Sequence, residues 1–226
     1  MTKWLFICVL SGTWSFGQDL ILASTTTKPV QLKEGFELRT PKNDHQYVSV
    51  QWAKGNLYYA NGTSKTYDSL NFDKYGNKID VIIHNKPLSI LPLGLAGALI
   101  YETPTSGYVI IEGAIEEGRK FLLVNSVGDF TLVSYTSINE VIPIEFHKVD
   151  EIRFVPKAEN RLIVSSRFYI WKGMTWEPFK LTKSVIGKLF SLNKKEIQTI
   201  FLEHAITTQD EQGLVYLFHL LNSHEY

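Results

Sequence analysis

The chain has 226 residues, and its 23 basic side chains balance 23 acidic ones, so the formal net charge is zero. That balance removes any general electrostatic drive toward nucleic acid or an anionic membrane surface. The one cysteine, Cys8, excludes a disulfide framework, and an aromatic content of 13%, weighted to Phe and Tyr, favours strands over helices.

The chain opens with Lys3, the apolar run Trp4 to Leu10, and then Ser15-Phe16-Gly17. This is the layout of a cleavable signal peptide, with small residues at the two positions a signal peptidase reads. Cleavage before Gln18 is expected. The run is shorter than the roughly 18 apolar residues that cross a bilayer. Cys8 lies inside it, preceded by Phe6-Ile7, which argues against a lipid-accepting cysteine. Residues 1–17 therefore read as a leader, 18–179 as a β-rich domain and 180–226 as a helical tail. Removing 17 of the 226 residues leaves 209 without a cysteine, enough to bury a core but with no thiolate metal site and no cysteine nucleophile. The compartment implied is the periplasm, the outer-membrane surface or the medium, with no transmembrane span in the mature chain.

From Tyr47 to Phe179 short β-type runs alternate with turn signals. Tyr47 to Trp52 alternates at period two. Leu57 to Ala60 leads into Asn61-Gly62, a hairpin signal in which both residues tolerate positive φ, and Thr63 to Tyr67 would return. Further runs are Ile79 to Ile83, Tyr108 to Ile111, Lys120 to Val124, Asp129 to Ser134, Ile152 to Val155 and Leu162 to Trp171. Such spacing predicts a mainly β fold: an antiparallel meander, barrel-like sheet or sandwich. The thirteen-residue uncharged stretch Leu88 to Ile100 is too short for a span. It reads as buried strand and loop or, alternatively, as a lipid- or partner-contacting loop.

After Pro178 the period changes. Thr182 or Ser184 can cap a short helix through Phe190. Asn193 and Glu196 have capping-box spacing, as do Thr208 and Glu211. Ile197, Ile200, Phe201 and Ala205 make one helical stripe, and Leu214, Leu217, Phe218 and Leu221 make another. Two helices joined at Ile206-Thr207 predict a C-terminal α-helical hairpin packed on the β domain.

Catalytic signatures are scarce. The sequence has no nucleophile elbow, zincin helix, phosphate-binding loop or calcium loop. Its six histidines do not pair at metal-ligand spacing, so no metal and no cofactor is expected. His147 with Asp150 and Glu151, and Asp44-His45, read as solvated turns, and His219 as a surface residue off its helix stripe. Glu116-Glu117 reads as a charged hairpin tip that could serve acid–base chemistry only with a distant carboxylate. Asn61-Gly62-Thr63 fits a glycosylation sequon, which a turn explains equally well. Tyr58, Tyr59, Tyr67, Phe72 and Tyr75 crowd one hairpin, and Trp171 and Trp176 flank another. Exposed, such rings form a sugar or peptide platform; buried, they are core. Tyr58, Tyr59, Trp171 and Trp176 are the candidate binding residues.

Several short segments carry a family resemblance: Gly55 to Gly62, Leu70 to Asp73, Gly107-Tyr108, Gly118 to Leu123, and the tail from Phe179 to Asn222. With the Ser-Phe-Gly-Gln leader end, they resemble uncharacterised exported β-rich proteins of the Bacteroidota. The resemblance implies a β-rich exported protein and carries no catalytic residues. Two functional readings follow. One is a non-enzymatic binding or accessory protein of the periplasm or outer membrane, whose partner is another envelope protein. The other is a glycan- or peptide-acting hydrolase with carboxylates assembled by the fold. The leader gives the first testable outcome. Terminal sequencing of protein recovered from cells should find Gln18 first; an intact Met1, or lipid on Cys8, would contradict the assignment.

Overall fold

The structure is a computed structural model and describes residues 36–38, 46–141, 144–148, 154–158, 161–206 and 211–224. The leader, Asp44-His45 and Thr208 lie outside them, as do Asp150 and Glu151 and the side chain of His147. The first strands are β1 (Phe36–Leu38), β2 (Ala53–Tyr59), β3 (Ser64–Asp73), β4 (Lys78–Ile83), β5 (Lys86–Ile90) and β6 (Leu95–Thr103). There follow β7 (Ser106–Ile115), β8 (Gly118–Ser126), β9 (Leu132–Val141), β10 (Ile144–Lys148) and β11 (Phe154–Ala158). Then come β12 (Arg161–Lys172), β13 (Thr175–Phe179), and helices α1 (Lys183–Leu189), α2 (Lys194–Glu203) and α3 (Glu211–Ser223).

Eleven strands form one antiparallel sheet in the order β1-β5-β4-β3-β2-β6-β7-β8-β9-β12-β13, with β10 and β11 as a separate pair. The sheet ends at β1 and β13 and is not closed into a barrel, so among the β architectures expected it is the open meander. Short loops force it to curl. Between β5 and β6 the sheet order places four inter-strand steps, about 19 Å if flat. The five Cα-to-Cα steps from Ile90 to Leu95 could cover at most about 18 Å even when extended. The loop is in fact folded back on itself, with Leu95 N–H donating to Pro92 C=O at 3.2 Å.

The curl changes direction along the sheet, and β7 and β8 are where it turns. Ile110 and Phe121 join Leu57, Leu70, Phe72, Ile79 and Ile100 in a core on one face. Their chain neighbours Ile111 and Leu122 join Val133, Tyr169 and Trp176 in a second core on the other. Strands buried on both faces read as continuous apolar runs, which is what Val109-Ile110-Ile111 and Phe121 to Val124 are. The Trp176 side chain reaches back over β7: a Cβ added at Gly113 would lie 2.8 Å from the indole nitrogen, so the approach needs glycine there.

The helices cover the first face of β9, β12 and β13. Leu132, Phe168, Ile170 and Phe179 share a third core with Ile197, Ile200, Phe201, Leu214, Leu217 and Phe218. Thr182 caps α1 through the Val185 N–H, and Asn193 with Glu196 forms a complete capping box on α2. No described helix is long and apolar enough to cross a membrane.

Two local expectations are corrected. The turn after β2 is a three-residue loop, Ala60-Asn61-Gly62, in which Gly62 alone has positive φ, at 81°. Tyr59 N–H donates to Thr63 C=O and Gly62 N–H to Tyr59 C=O, both at 2.9 Å, so Gly62 takes the bulge position after a β-turn. Paired positive φ occurs instead at His84-Asn85, between β4 and β5. Tyr47 to Trp52 is not a strand; beside the end of β3 the segment makes one bridge, Tyr47 to Asp73, with Val48 N–H donating to Phe72 C=O and Lys74 N–H to Gln46 C=O, both at 3.0 Å. Val50 there is 95% exposed, because the alternation has no second strand to work against. The apolar stretch from Leu88 to Ile100 is mostly strand and core, leaving Leu91 and Leu93 exposed.

Three asparagine side chains close the open sheet. The Asn71 amide accepts from Ser49 N–H at 3.3 Å and donates to Ser49 C=O at 2.9 Å, holding the 46–51 segment on β3. Asn77, in the β3–β4 turn, donates to Phe121 C=O at 2.7 Å and accepts from Phe121 N–H at 2.9 Å. Asn222, on α3, treats Phe130 the same way at 2.7 and 2.9 Å and also donates to Ser126 Oγ at 2.9 Å. A Cβ at Gly128 would fall 2.3 Å from the Asn222 carbonyl oxygen, so this seat needs glycine.

Asn222→Asp keeps the shape but loses both donated bonds and sets a carboxylate in a site 2% exposed. It should cost about 3 kcal/mol or more in chemical denaturation, comparable with the ~3–5 kcal/mol expected for Phe218→Ala. A cost under about 1 kcal/mol would show that the clamp contributes little beyond an ordinary hydrogen bond.

Candidate functional site

Strand β12 is longer than the neighbour on its outer edge. It pairs with β9 from Arg161 to Ile170, but with β13 only from Phe168 to Lys172. Trp171 N–H donates to Thr131 C=O at 3.1 Å, on the β9 side. Backbone groups alternate in direction along a strand, so the even-numbered residues face β13. Phe168, Ile170 and Lys172 have β13 opposite them in register. Val164 and Ser166 turn their N–H and C=O toward an edge where no strand lies among the described residues.

A groove of about 670 Å³ opens at this edge. Phe168, Phe179, Leu181 and Leu214 give it apolar walls, and Glu116, Arg167, Lys180 and Glu211 charge of both signs. Pro178, also on the groove, lies opposite Tyr169 near the end of β13. Proline offers no N–H to a further strand, which suits an edge position. The β7–β8 turn braces one side. Glu117 pairs with the Arg167 guanidinium and accepts from the Tyr169 hydroxyl at 3.0 Å. Burial raises the Tyr169 phenol above its ordinary value of 10.0; Arg167 opposes the shift, while Glu116 and Tyr135 add to it.

The four candidate binding residues do not come together. Tyr58 and Tyr59 lie on β2, and Trp171 and Trp176 on β12 and β13, with β6 to β9 between them. Tyr59 and Trp176 are buried at 7% and 9% exposure. Trp171 packs edge-on against Trp176 at 4.9 Å between ring centroids and is half-buried. Tyr58 is half-buried on the opposite side of β2 from Leu57 and Tyr59. Glu116 and Glu211, read separately in the sequence, both reach the groove and are exposed. His219 is half-buried, with Nδ1 3.5 Å from Ser126 Oγ. Sequence reasoning missed Val164 and Ser166, whose contribution is backbone direction; the unequal lengths of β12 and β13 were the available signal. Among the described residues no group of three or more His, Cys, Asp or Glu could hold a metal ion. No family model, curated protein or solved structure matches the chain.

The Tyr169 shift fixes a pH dependence. A phenol held protonated in the fold contributes stability that is complete below the unfolded value near pH 10 and is lost as pH rises through the folded one. Denaturation midpoints should therefore fall above pH 10. Tyr169→Phe should be less stable by about 1–2 kcal/mol at neutral pH, through loss of the bond to Glu117, yet decline less steeply in alkali. Parallel alkaline slopes for the two proteins would contradict this.

Proposed function

We propose that the protein is an exported, non-enzymatic binding protein of the cell envelope that takes an extended segment of another envelope protein as an added strand on the β12 edge. The supporting observation is the pair of outward-turned backbone positions on the β12 edge, Ser166 on the groove and Val164 two residues before it. Strand addition draws affinity from main-chain hydrogen bonds and specificity from pockets for alternate side chains. Here one set of side chains would meet Phe168, Leu181 and Leu214, and the other set Arg167 and Glu116. The fitting segment alternates apolar residues with charges of either sign. The leader pattern and the resemblance to exported β-rich proteins support the envelope location.

The hydrolase reading has one observation behind it, the shared groove of Glu116 and Glu211. Turnover of a peptide or glycan pool that Glu116→Gln or Glu211→Gln abolishes would favour it over binding.

Selection from a displayed peptide library tests the binding reading. Selected peptides should protect the Val164 and Ser166 amides from hydrogen exchange. They should bind Val164→Pro and Ser166→Pro at least about tenfold more weakly, a loss of ~1.4 kcal/mol. Both variants should keep their melting behaviour, since neither N–H serves the β9 ladder. Peptides that bind the proline variants as well as the parent would overturn the proposal.

A further inference from the structure

A second groove, of about 600 Å³, lies on β2, β3 and β6, on the side of the sheet away from the Leu57–Leu70 core. It is lined by Lys54, Asn56, Thr66, Tyr101, Glu102 and Thr103. The register explains why these groups meet. Asn56 sits opposite Thr66 on one neighbouring strand and Leu99 on the other, two residues before Tyr101. Their hydrogen bonds run in one direction. The Thr66 hydroxyl donates to Asn56 Oδ1 at 2.7 Å, and Asn56 Nδ2 donates to the Tyr101 oxygen at 3.0 Å.

That directionality leaves defined functions for a ligand. The Tyr101 oxygen already accepts, so its hydroxyl proton remains available to donate. Asn56 keeps a second amide hydrogen, and Thr66 keeps lone pairs for accepting. All three groups sit on strands, where the surrounding ladders fix their spacing before anything binds. Tyr101 lies opposite Gly107 on β7, and Tyr58 opposite Gly97 on β6, so on those sides the sheet surface beside each ring carries no cross-strand side chain. Burial and the neighbouring Tyr58 raise the Tyr101 phenol above its ordinary value of 10.0.

We infer that this groove is a binding site for a neutral saccharide. Each sugar hydroxyl both donates and accepts, which matches an uncharged array presenting a donor, an amide hydrogen and acceptor lone pairs in sequence. The C–H face of a pyranose ring can lie on the Tyr101 ring over the bare strip left by Gly107. A phosphate or other anion is disfavoured, because the single cation of the lining, Lys54, is matched by Glu102. The volume falls in the range of small-ligand sites, about 300–1,000 Å³.

Titration of the full isotope-labelled chain with neutral hexose and N-acetylhexosamine oligosaccharides, followed by amide chemical shifts, tests the assignment. At least one sugar should give saturable shifts confined to residues of β2, β3 and β6 around Asn56, Thr66 and Tyr101. Tyr101→Phe keeps the ring and removes the donor, and Asn56→Ala breaks the chain of bonds. Each should weaken binding by about tenfold or more with melting unchanged. If Asn56→Ala disturbs the fold, Tyr101→Phe and Thr66→Val carry the test. No shifts with any neutral sugar, shifts with acidic sugars alone, or affinity indifferent to Tyr101→Phe would each overturn the inference. The β12 edge lies across the sheet, so neither outcome bears on strand addition there.

Discussion

A primary carboxamide carries one acceptor and donor hydrogens in a plane, so it can meet both backbone groups of a single residue as a paired strand would. Asn71, Asn77 and Asn222 each do this, to Ser49, Phe121 and Phe130. Two of the contacts join parts that no ladder joins, the β3–β4 turn to β8 and α3 to the loop before β9, and the third reinforces the single bridge between the 46–51 segment and β3. An open sheet of eleven strands that curls both ways leaves backbone groups stranded wherever the curl departs from pairing. Each asparagine satisfies two such groups where leaving them unmet would cost about 1–3 kcal/mol apiece. The remaining features of the fold assume these closures.

The reversal of curvature follows from β7 and β8 having apolar residues on both sides. With Ile110 and Phe121 committed to one core and Ile111 and Leu122 to another, the middle of each strand is buried on both faces. The sheet bends toward one side before them and toward the other after them. Helices α1 to α3 then cover the outer side of the second bend through Phe179, Leu217 and Phe218. This arrangement sets out the two grooves. The second bend ends at β13, which stops short of β12 and leaves its edge open. The first bend turns the polar side of β2, β3 and β6 outward, presenting Asn56, Thr66 and Tyr101.

What the sequence makes legible is local. The capping box at Asn193 and Glu196, the Thr182 cap and the apolar stripes of α2 and α3 depend on neighbours three or four residues away, and these features appear in the fold as read, except that Ala205 lies past the end of α2, exposed and at positive φ. The mainly β class follows from the spacing of runs and turns. Features set by distant partners were not readable. Asn77 and Asn222 look like turn and helix-end residues until Phe121 and Phe130 are placed beside them. The period-two pattern from Tyr47 to Trp52 promised a strand, but its backbone pairing stops at the bridge from Tyr47 to Asp73, and beyond it the Asn71 side chain holds Ser49. Asn61-Gly62 marked a hairpin correctly while hiding its loop length, since Ala60 joins the turn without any special residue type. The candidate site was less legible still. Its defining groups are backbone atoms of Val164 and Ser166, which residue identity does not single out.

The central claim is that side-chain amides stand in for missing strands, and hydrogen exchange reads it directly. The amides of Ser49, Phe121 and Phe130 should exchange slowly, at rates set by opening of the surrounding sheet rather than by local fraying. The exposed loop amides at Val50 and Val127 supply the fast reference within the same chain. Protection at all three positions, lost at Phe121 alone in Asn77→Ala and at Phe130 alone in Asn222→Ala, is the predicted result. Exchange at Ser49, Phe121 and Phe130 as fast as at Val50 and Val127 would contradict the account.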